Sequence, residues 1–150
     1  MKQFFSLLTA LLLSSMAMSQ VKNPVKWTFS AKKIDATTYE LHLTASIDPG
    51  WHIYTIDHSA DIGVATSIVL KSNPLATPQG KVKVVGKAVT LRDPSTAEMV
   101  KFYEKTVDFV QVVKLKKPLK TSFSGTVEYM ACDDKQCLPP TEKPFTIALQ

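Results

Sequence analysis

The chain has 150 residues, of which 45% are hydrophobic and 21% charged, with nine prolines and two cysteines. Its formal net charge at pH 7 is +5, and the positive excess is spread along the chain apart from the run Lys114–Lys120. Nucleic-acid binders usually gather such charge on one face together with stacking aromatics. The composition therefore argues against a nucleic-acid partner, and we expect the lysine run to be a solvated strand end and turn.

The first segment in chain order has the layout of a secretory signal peptide. Lys2 precedes an apolar run over residues 4–13, and small residues then lead to a cleavage position before Gln20. The apolar run is too short to span a bilayer comfortably, although a retained membrane anchor is the alternative. We expect residues 1–19 to be removed and residues 20–150 to form one exported, soluble domain in a compartment where disulfides persist.

Short β-strands are predicted for the rest of the chain. In Tyr39–Ile47 apolar and polar residues alternate throughout, which is typical of a strand with one buried face, so Glu40 and His42 should point to solvent. No window carries a sustained helical stripe, and Pro94–Tyr103 is expected to form one helical turn at most. The predicted strands are Val25–Lys32, Tyr39–Ile47, Trp51–Ile56, Ser67–Ser72, Lys81–Val85, Val107–Leu115, Ser122–Tyr129 and Phe145–Leu149.

This series of strands predicts an all-β fold. Short strands repeating about every ten residues, with proline and glycine between them, favour an immunoglobulin-like β-sandwich, and a lipocalin-type fold is the alternative. Residues 57–65 are expected to be an exposed loop. Residues 90–100 form the longest stretch without a strand pattern, and long loops in small β domains often carry function.

The two cysteines, Cys132 and Cys137 in MACDDKQCLPP, allow three interpretations. A structural disulfide closing so short a loop would contribute roughly 2 kcal/mol, against about 3 kcal/mol for a fifteen-residue loop. A metal clip would need partners among the three histidines, Met99 and Met130, and it lacks the paired spacing usual for zinc. A redox-active disulfide fits the polar, water-facing residues between the cysteines, because exposed disulfides are the labile kind. Spacing alone leaves all three open.

Three stretches resemble the N-terminal periplasmic domain of the thiol:disulfide interchange protein DsbD. Tyr129–Pro140 (YMACDDKQCLPP) is similar to the active-site segment of that family, in which two cysteines four or five residues apart are followed by an apolar or aromatic residue and Pro-Pro. Gly50–Tyr54 (GWHIY) is similar to its Gly-aromatic-x-aliphatic-Tyr strand, and Phe102–Val113 to the strand after its cap loop.

The resemblance implies an immunoglobulin-like fold and a periplasmic dithiol relay that needs no cofactor or metal. The chain would then be a component of a protein-disulfide reductase system. It would exchange electrons with thioredoxin-like partners and with a separate membrane thiol reductase, and it would serve cytochrome c biogenesis. By the same resemblance Cys137 forms the mixed disulfide with partners and Cys132 resolves it. Trp51, Tyr54 and Tyr129 would be aromatic neighbours of the pair, although the ordinary alternative for Trp51 and Tyr54 is the sandwich core.

The family also has a cap loop that places an aromatic side chain over the disulfide. The corresponding stretch, Asp93–Met99, contains no aromatic residue. Met99 would have to cover the sulfurs by a soft apolar contact, or Phe102 or Tyr103 would have to reach back. A secreted β-sandwich binding module with a purely structural Cys132–Cys137 disulfide is the alternative function.

Overall fold

The structure, a computed structural model, describes residues 22–59, 61–94 and 96–150. Every secondary-structure element in these residues is a β-strand. The predicted signal peptide, residues 1–19, lies outside the described residues. No helix in the described part of the chain is long and apolar enough to cross a membrane. The strands are β1 (Val25–Lys33), β2 (Thr38–Ile47), β3 (His52–Tyr54), β4 (Ser67–Leu70), β5 (Ala76–Val85), β6 (Ala88–Arg92), β7 (Met99–Tyr103), β8 (Thr106–Leu115), β9 (Thr121–Tyr129), β10 (Ala131–Cys132) and β11 (Thr141–Leu149).

The main core lies between two sheets, with strand orders β1-β2-β8-β5 and β11-β9-β4. Aromatic rings join them where they meet: Phe29 of β1 stacks on Phe145 of β11 at 5.1 Å between ring centroids, and Trp27 lies 5.4 Å from Tyr129 of β9. Phe109 of β8 is fully buried in the same cluster. The two sheets therefore close over one continuous hydrophobic layer.

Strand β2 shows why the alternating pattern predicts burial correctly. Tyr39, Leu41 and Leu43 are buried against the other sheet, whereas the residues between them are partly exposed. On the outer face the Nδ1 atom of His42 lies 2.7 Å from Oδ2 of Asp108 on the paired strand β8. The predicted orientation of Glu40 and His42 away from the core is confirmed.

The third sheet, β10-β3-β7-β6, has two differently used faces. Side chains alternate along a strand, so Ile53, Tyr103 and Ala131 point into the main core. The register pairs Cys132 with His52 and Tyr54 with Phe102, which places these four side chains together on the opposite face. One residue of each pair comes from β3, the strand between β10 and β7.

Residues 90–100 were expected to be a loop with one helical turn at most, and this holds only in part, because residues 90–92 belong to β6 and residues 99 and 100 to β7, the two strands of a β-hairpin. Strands β6 and β7 pair from Ala88↔Tyr103 to Arg92↔Met99. Strand β6 has five residues, of which only Val89 is partly buried. So short a strand with so little buried surface is hard to recognise in the sequence. The hairpin is defined by pairing with a neighbour, which a local pattern does not reveal.

Two strands also extend through prolines that were expected to end them. Strand β5 begins at Ala76 and includes Pro78, with a register shift between Gln79 and Lys83. Strand β11 begins at Thr141, before Pro144. Both are the outermost strands of their sheets, where proline is tolerated because its missing N–H faces no partner strand.

Candidate functional site

The Cys132–Cys137 disulfide joins one buried and one exposed residue. Cys132 lies in β10 and is 1% exposed, whereas Cys137 lies beyond the turn and is exposed. The two cysteines therefore differ in access: an incoming molecule can reach Cys137 from solvent, while Cys132 is covered by protein.

A hydrogen-bonded turn holds the two cysteines opposite each other. Oδ1 of Asp133 accepts hydrogen bonds from the backbone N–H groups of Lys135 and Gln136, both at 2.8 Å. The N–H of Asp133 donates to the carbonyl of Gln136, and the N–H of Leu138 donates to the carbonyl of Ala131. The hydrogen bonds that the carboxylate of Asp133 accepts, above all the one from Lys135, lower its pKa. The carboxylate therefore stays charged beside the two cysteines.

Cys132 is buried in a small hydrophobic cluster separate from the main core. Its other fully buried members are Tyr54, Val100 and Phe102, from β3 and β7. Three half-buried side chains pack against them: Ile62, Val89 and Met130. The sulfur of Cys132 thus lies in apolar surroundings, which disfavour a thiolate.

His52 is the residue directly opposite Cys132 on β3. Its ring centroid lies 4.3 Å from that of Phe102 and 5.6 Å, edge-on, from that of Tyr54. Burial lowers the pKa of His52, and the negative charges of Glu104, Asp134 and Asp133 oppose the shift without reversing it. The imidazole is therefore neutral at neutral pH.

Residues 57–59 and 61–66, together called segment 57–66, cover the ring of Tyr54. His58 stacks on it with 4.3 Å between centroids, and the His58 Nε2 atom lies 2.6 Å from the carbonyl oxygen of Ile62. Gly63, at φ +80°, approaches so closely that a Cβ there would lie 2.1 Å from Tyr54 Cε2. Thr66 Oγ1 donates to the Tyr54 carbonyl at 2.6 Å. The described residues of 57–65 form a loop, as predicted, but the expected exposure holds only in part, because residues 62–65 are half-buried.

The same segment is fastened to the β6–β7 hairpin. The N–H of Asp61 donates to Oε2 of Glu98 at 3.0 Å, and Nζ of Lys101 lies 3.1 Å from Oδ2 of Asp57. One contact is at the hairpin turn and the other is on β7. Segment 57–66 and the hairpin together therefore form the cover over the Cys132 cluster.

Among the predicted neighbours of the disulfide, the structure places Tyr54 in the cluster of Cys132 and the others elsewhere. Tyr129 is buried in the main core, and Trp51 packs against that core, with Nζ of Lys22 lying 5.5 Å from its ring centroid. Met99 is 59% exposed at the first position of β7.

Of the two aromatic alternatives for a cover, Phe102 belongs to the Cys132 cluster and Tyr103 belongs to the main core. His52 was considered only as a metal ligand, yet it shares the face of Tyr54. The sequence could have indicated this placement, because residues two apart on a strand, such as His52 and Tyr54, lie on the same side. For the metal interpretation, the described residues contain no group of three or more His, Cys, Asp or Glu able to hold an ion.

This β-sandwich carries a short-loop disulfide that is exposed at one cysteine and buried at the other, an arrangement chemically suited to thiol–disulfide exchange. The chain belongs to the family described as "Thiol:disulfide interchange protein DsbD, N-terminal", whose model matches residues 18–149. The predicted all-β, immunoglobulin-like sandwich and the predicted family are thereby confirmed. Thiol–disulfide exchange at Cys132–Cys137 follows at the level of the family.

Two solved structures are similar to this chain at low sequence identity. The N-terminal periplasmic domain of ScsB from Proteus mirabilis aligns with 84% of this chain at 16% identity and a TM-score of 0.56. This chain spans 48% of that ScsB structure. The reduced N-terminal domain of DsbD from Neisseria meningitidis aligns with 75% of this chain and 85% of its own, at 14% identity and a TM-score of 0.43. No curated protein matches the chain.

Proposed function

We propose that this chain is a periplasmic relay that passes reducing equivalents between thioredoxin-like partners through the Cys132–Cys137 pair. The observation that carries the proposal is the difference in exposure between the two cysteines. A relay needs one sulfur that a partner can attack and a second, protected sulfur that completes the exchange. A bond with a purely structural role needs no such difference.

The exchange proceeds in two steps. A partner thiolate attacks Sγ of exposed Cys137, a new S–S bond forms, and the Cys132–Cys137 bond breaks with its electron pair on Sγ of Cys132. A second thiol of the same partner then attacks the partner's sulfur in the mixed disulfide. This step leaves the partner oxidised and this chain as a dithiol. The reverse sequence passes the electrons onward. Two protein sulfurs carry both electrons, so no bound cofactor is required.

Membership of the family supports thioredoxin-like partners in general. We therefore propose thioredoxin-like proteins as donor and acceptor, one of them reduced by a separate membrane thiol reductase. Cytochrome c biogenesis is one process that such an acceptor would serve. The signal-peptide pattern of residues 1–19 supports export to the periplasm.

Trapping tests the relay directly. In Cys132→Ser the resolving sulfur is gone, so mixed disulfides through Cys137 should accumulate in cells and appear as reducible adducts. The matched control is Cys137→Ser, which leaves only the buried cysteine and should form few adducts. If neither variant forms adducts and the reduction potential of the wild-type disulfide lies below about −300 mV, the bond is structural and the chain is a binding module.

A further inference from the structure

The buried sulfur of Cys132 poses a charge problem in each direction of the exchange. When Cys137 is attacked, Cys132 leaves as a thiolate among Tyr54, Val100 and Phe102. When the disulfide closes again, the thiol of Cys132 must lose its proton in the same place. Burying an uncompensated charge in apolar surroundings is costly. A nearby group that donates and accepts a proton would lower the barrier to both steps.

His52 is in position to be that group. It is the cross-strand partner of Cys132, and side chains directly opposite on antiparallel strands have Cβ atoms roughly 4.5–5.5 Å apart. An imidazole at that separation can reach the sulfur. Its ring is held between Phe102 at 4.3 Å and Tyr54 at 5.6 Å, which limits the rotamers that it can adopt.

We propose that His52 is the proton-transfer partner of Cys132, an inference that rests on the relay function proposed above. During closure, neutral His52 accepts the proton of the Cys132 thiol, the resulting thiolate attacks Sγ of Cys137, and the partner leaves as a thiolate. After closure the imidazolium releases that proton to solvent. During opening, His52 takes up a proton from solvent and passes it to the Cys132 thiolate, which leaves the ring neutral again. The partner's thiol or disulfide is the only other reactant, so atoms and electrons balance.

The groups that face His52 tune this exchange. Glu104 follows β7, and Asp133 and Asp134 follow β10, and all three carboxylates act on the imidazole from a distance. They favour the imidazolium, whereas burial, the larger effect, favours the neutral ring. Neutral His52 is the form that can accept a proton from a thiol, and burial favours this form.

Two-step oxidation of the reduced protein by dithiobis(nitrobenzoate) separates the roles of the two cysteines. Attack by Cys137 releases a first nitrothiobenzoate at a rate that depends on reagent concentration. Attack by Cys132 on the mixed disulfide releases a second at a rate that does not. We expect His52→Gln to leave the first phase within about twofold and to slow the second about tenfold or more at pH 7, with a changed pH profile. The matched control is His42→Gln on β2, which should change neither phase.

The outcomes separate this inference from the relay itself. A second phase in His52→Gln with the wild-type rate and pH profile overturns the role of His52 and leaves the relay standing. A wild-type protein that shows no second phase overturns the relay. If His52→Gln does not fold, NMR titration of the wild-type His52 ring decides: its pKa should be higher in the reduced protein, where a thiolate can form beside it. Identical titrations in the oxidised and reduced proteins would contradict the inference.

Discussion

Replacing Gly63 by alanine tests whether segment 57–66 is packed as tightly over Tyr54 as the structure shows. The new Cβ would lie 2.1 Å from Cε2, 2.4 Å from Cζ and 2.6 Å from Cδ2 of the Tyr54 ring. Tyr54 is 5% exposed and its ring is stacked on His58. The ring therefore cannot move aside without losing packing, so either the ring or the segment must shift.

The expected loss of stability has two sources. A non-glycine residue in the left-handed region costs roughly 1–2 kcal/mol, and Gly63 has φ +80°. Overpacking a buried site typically costs about 1–3 kcal/mol more. Together, Gly63→Ala should lower the free energy of unfolding by about 2–5 kcal/mol.

The chain supplies a matched control in Gly80, which has φ +66° and no atom within 4 Å of a built Cβ. Gly80→Ala should incur the backbone cost alone. Urea unfolding of both variants, followed by circular dichroism, gives the difference, which should be about 1–3 kcal/mol, or on the order of 1 M in midpoint.

Equal losses in the two variants would refute the packing of segment 57–66 on Tyr54. The same comparison has a functional readout, because a displaced segment exposes the cluster of Cys132. Reduction of the disulfide by dithiothreitol should become faster in Gly63→Ala and remain unchanged in Gly80→Ala.

Three further predictions concern the core, a close approach and pH. Phe109→Ala removes a fully buried ring of the main core and should cost about 3–5 kcal/mol in urea unfolding, and a loss below about 1 kcal/mol would contradict its central position. Gly125→Ala would place a Cβ 2.6 Å from the Val69 carbonyl oxygen and 2.5 Å from Phe145. We therefore expect a melting temperature several degrees lower, and an unchanged melting temperature would contradict this close approach. Because the pKa of His52 is lowered in the folded protein, the unfolded chain takes up the proton first as pH falls below about 6.5. Stability should therefore decrease from pH 7.5 to pH 5, and less so in His52→Gln; an equal pH dependence of the two unfolding free energies would argue against the shift.

The strands that bury one regular face were predictable from the sequence. Leu41 and Leu43 alternate with polar residues because one side of β2 meets the core and the other meets water. Hairpin β6–β7 was not predicted, because its edge strand β6 has only five residues and buries little, so the alternation of Val89 and Leu91 with polar residues is too short to identify a strand. Strand assignment there depends on the partner strand, which is information from the tertiary fold.

The cysteines of the site were recognised from the sequence, but their surroundings were recognised only in part. The family resemblance named Tyr54 as a neighbour of the pair, and the structure places it in the cluster that contains Cys132. Trp51 and Tyr129 adjoin that region in sequence, but their side chains pack with the main core. The spacing of His52 and Tyr54 indicates a shared strand face, but the position of His52 directly opposite Cys132 depends on the β3–β10 register. Register depends on long-range pairing, so a motif that runs along one strand cannot specify it.

The turn between the cysteines has a consequence for the lifetime of the mixed disulfide. Its hydrogen bonds, from Lys135 and Gln136 to Asp133 and from Leu138 to Ala131, do not involve sulfur and can persist when the disulfide is open. The two sulfurs then remain close neighbours, so the Cys132 thiol would meet the mixed disulfide at Cys137 at a high effective concentration. In the proposed relay, this intramolecular reaction releases a captured partner before unrelated thiols can intercept it.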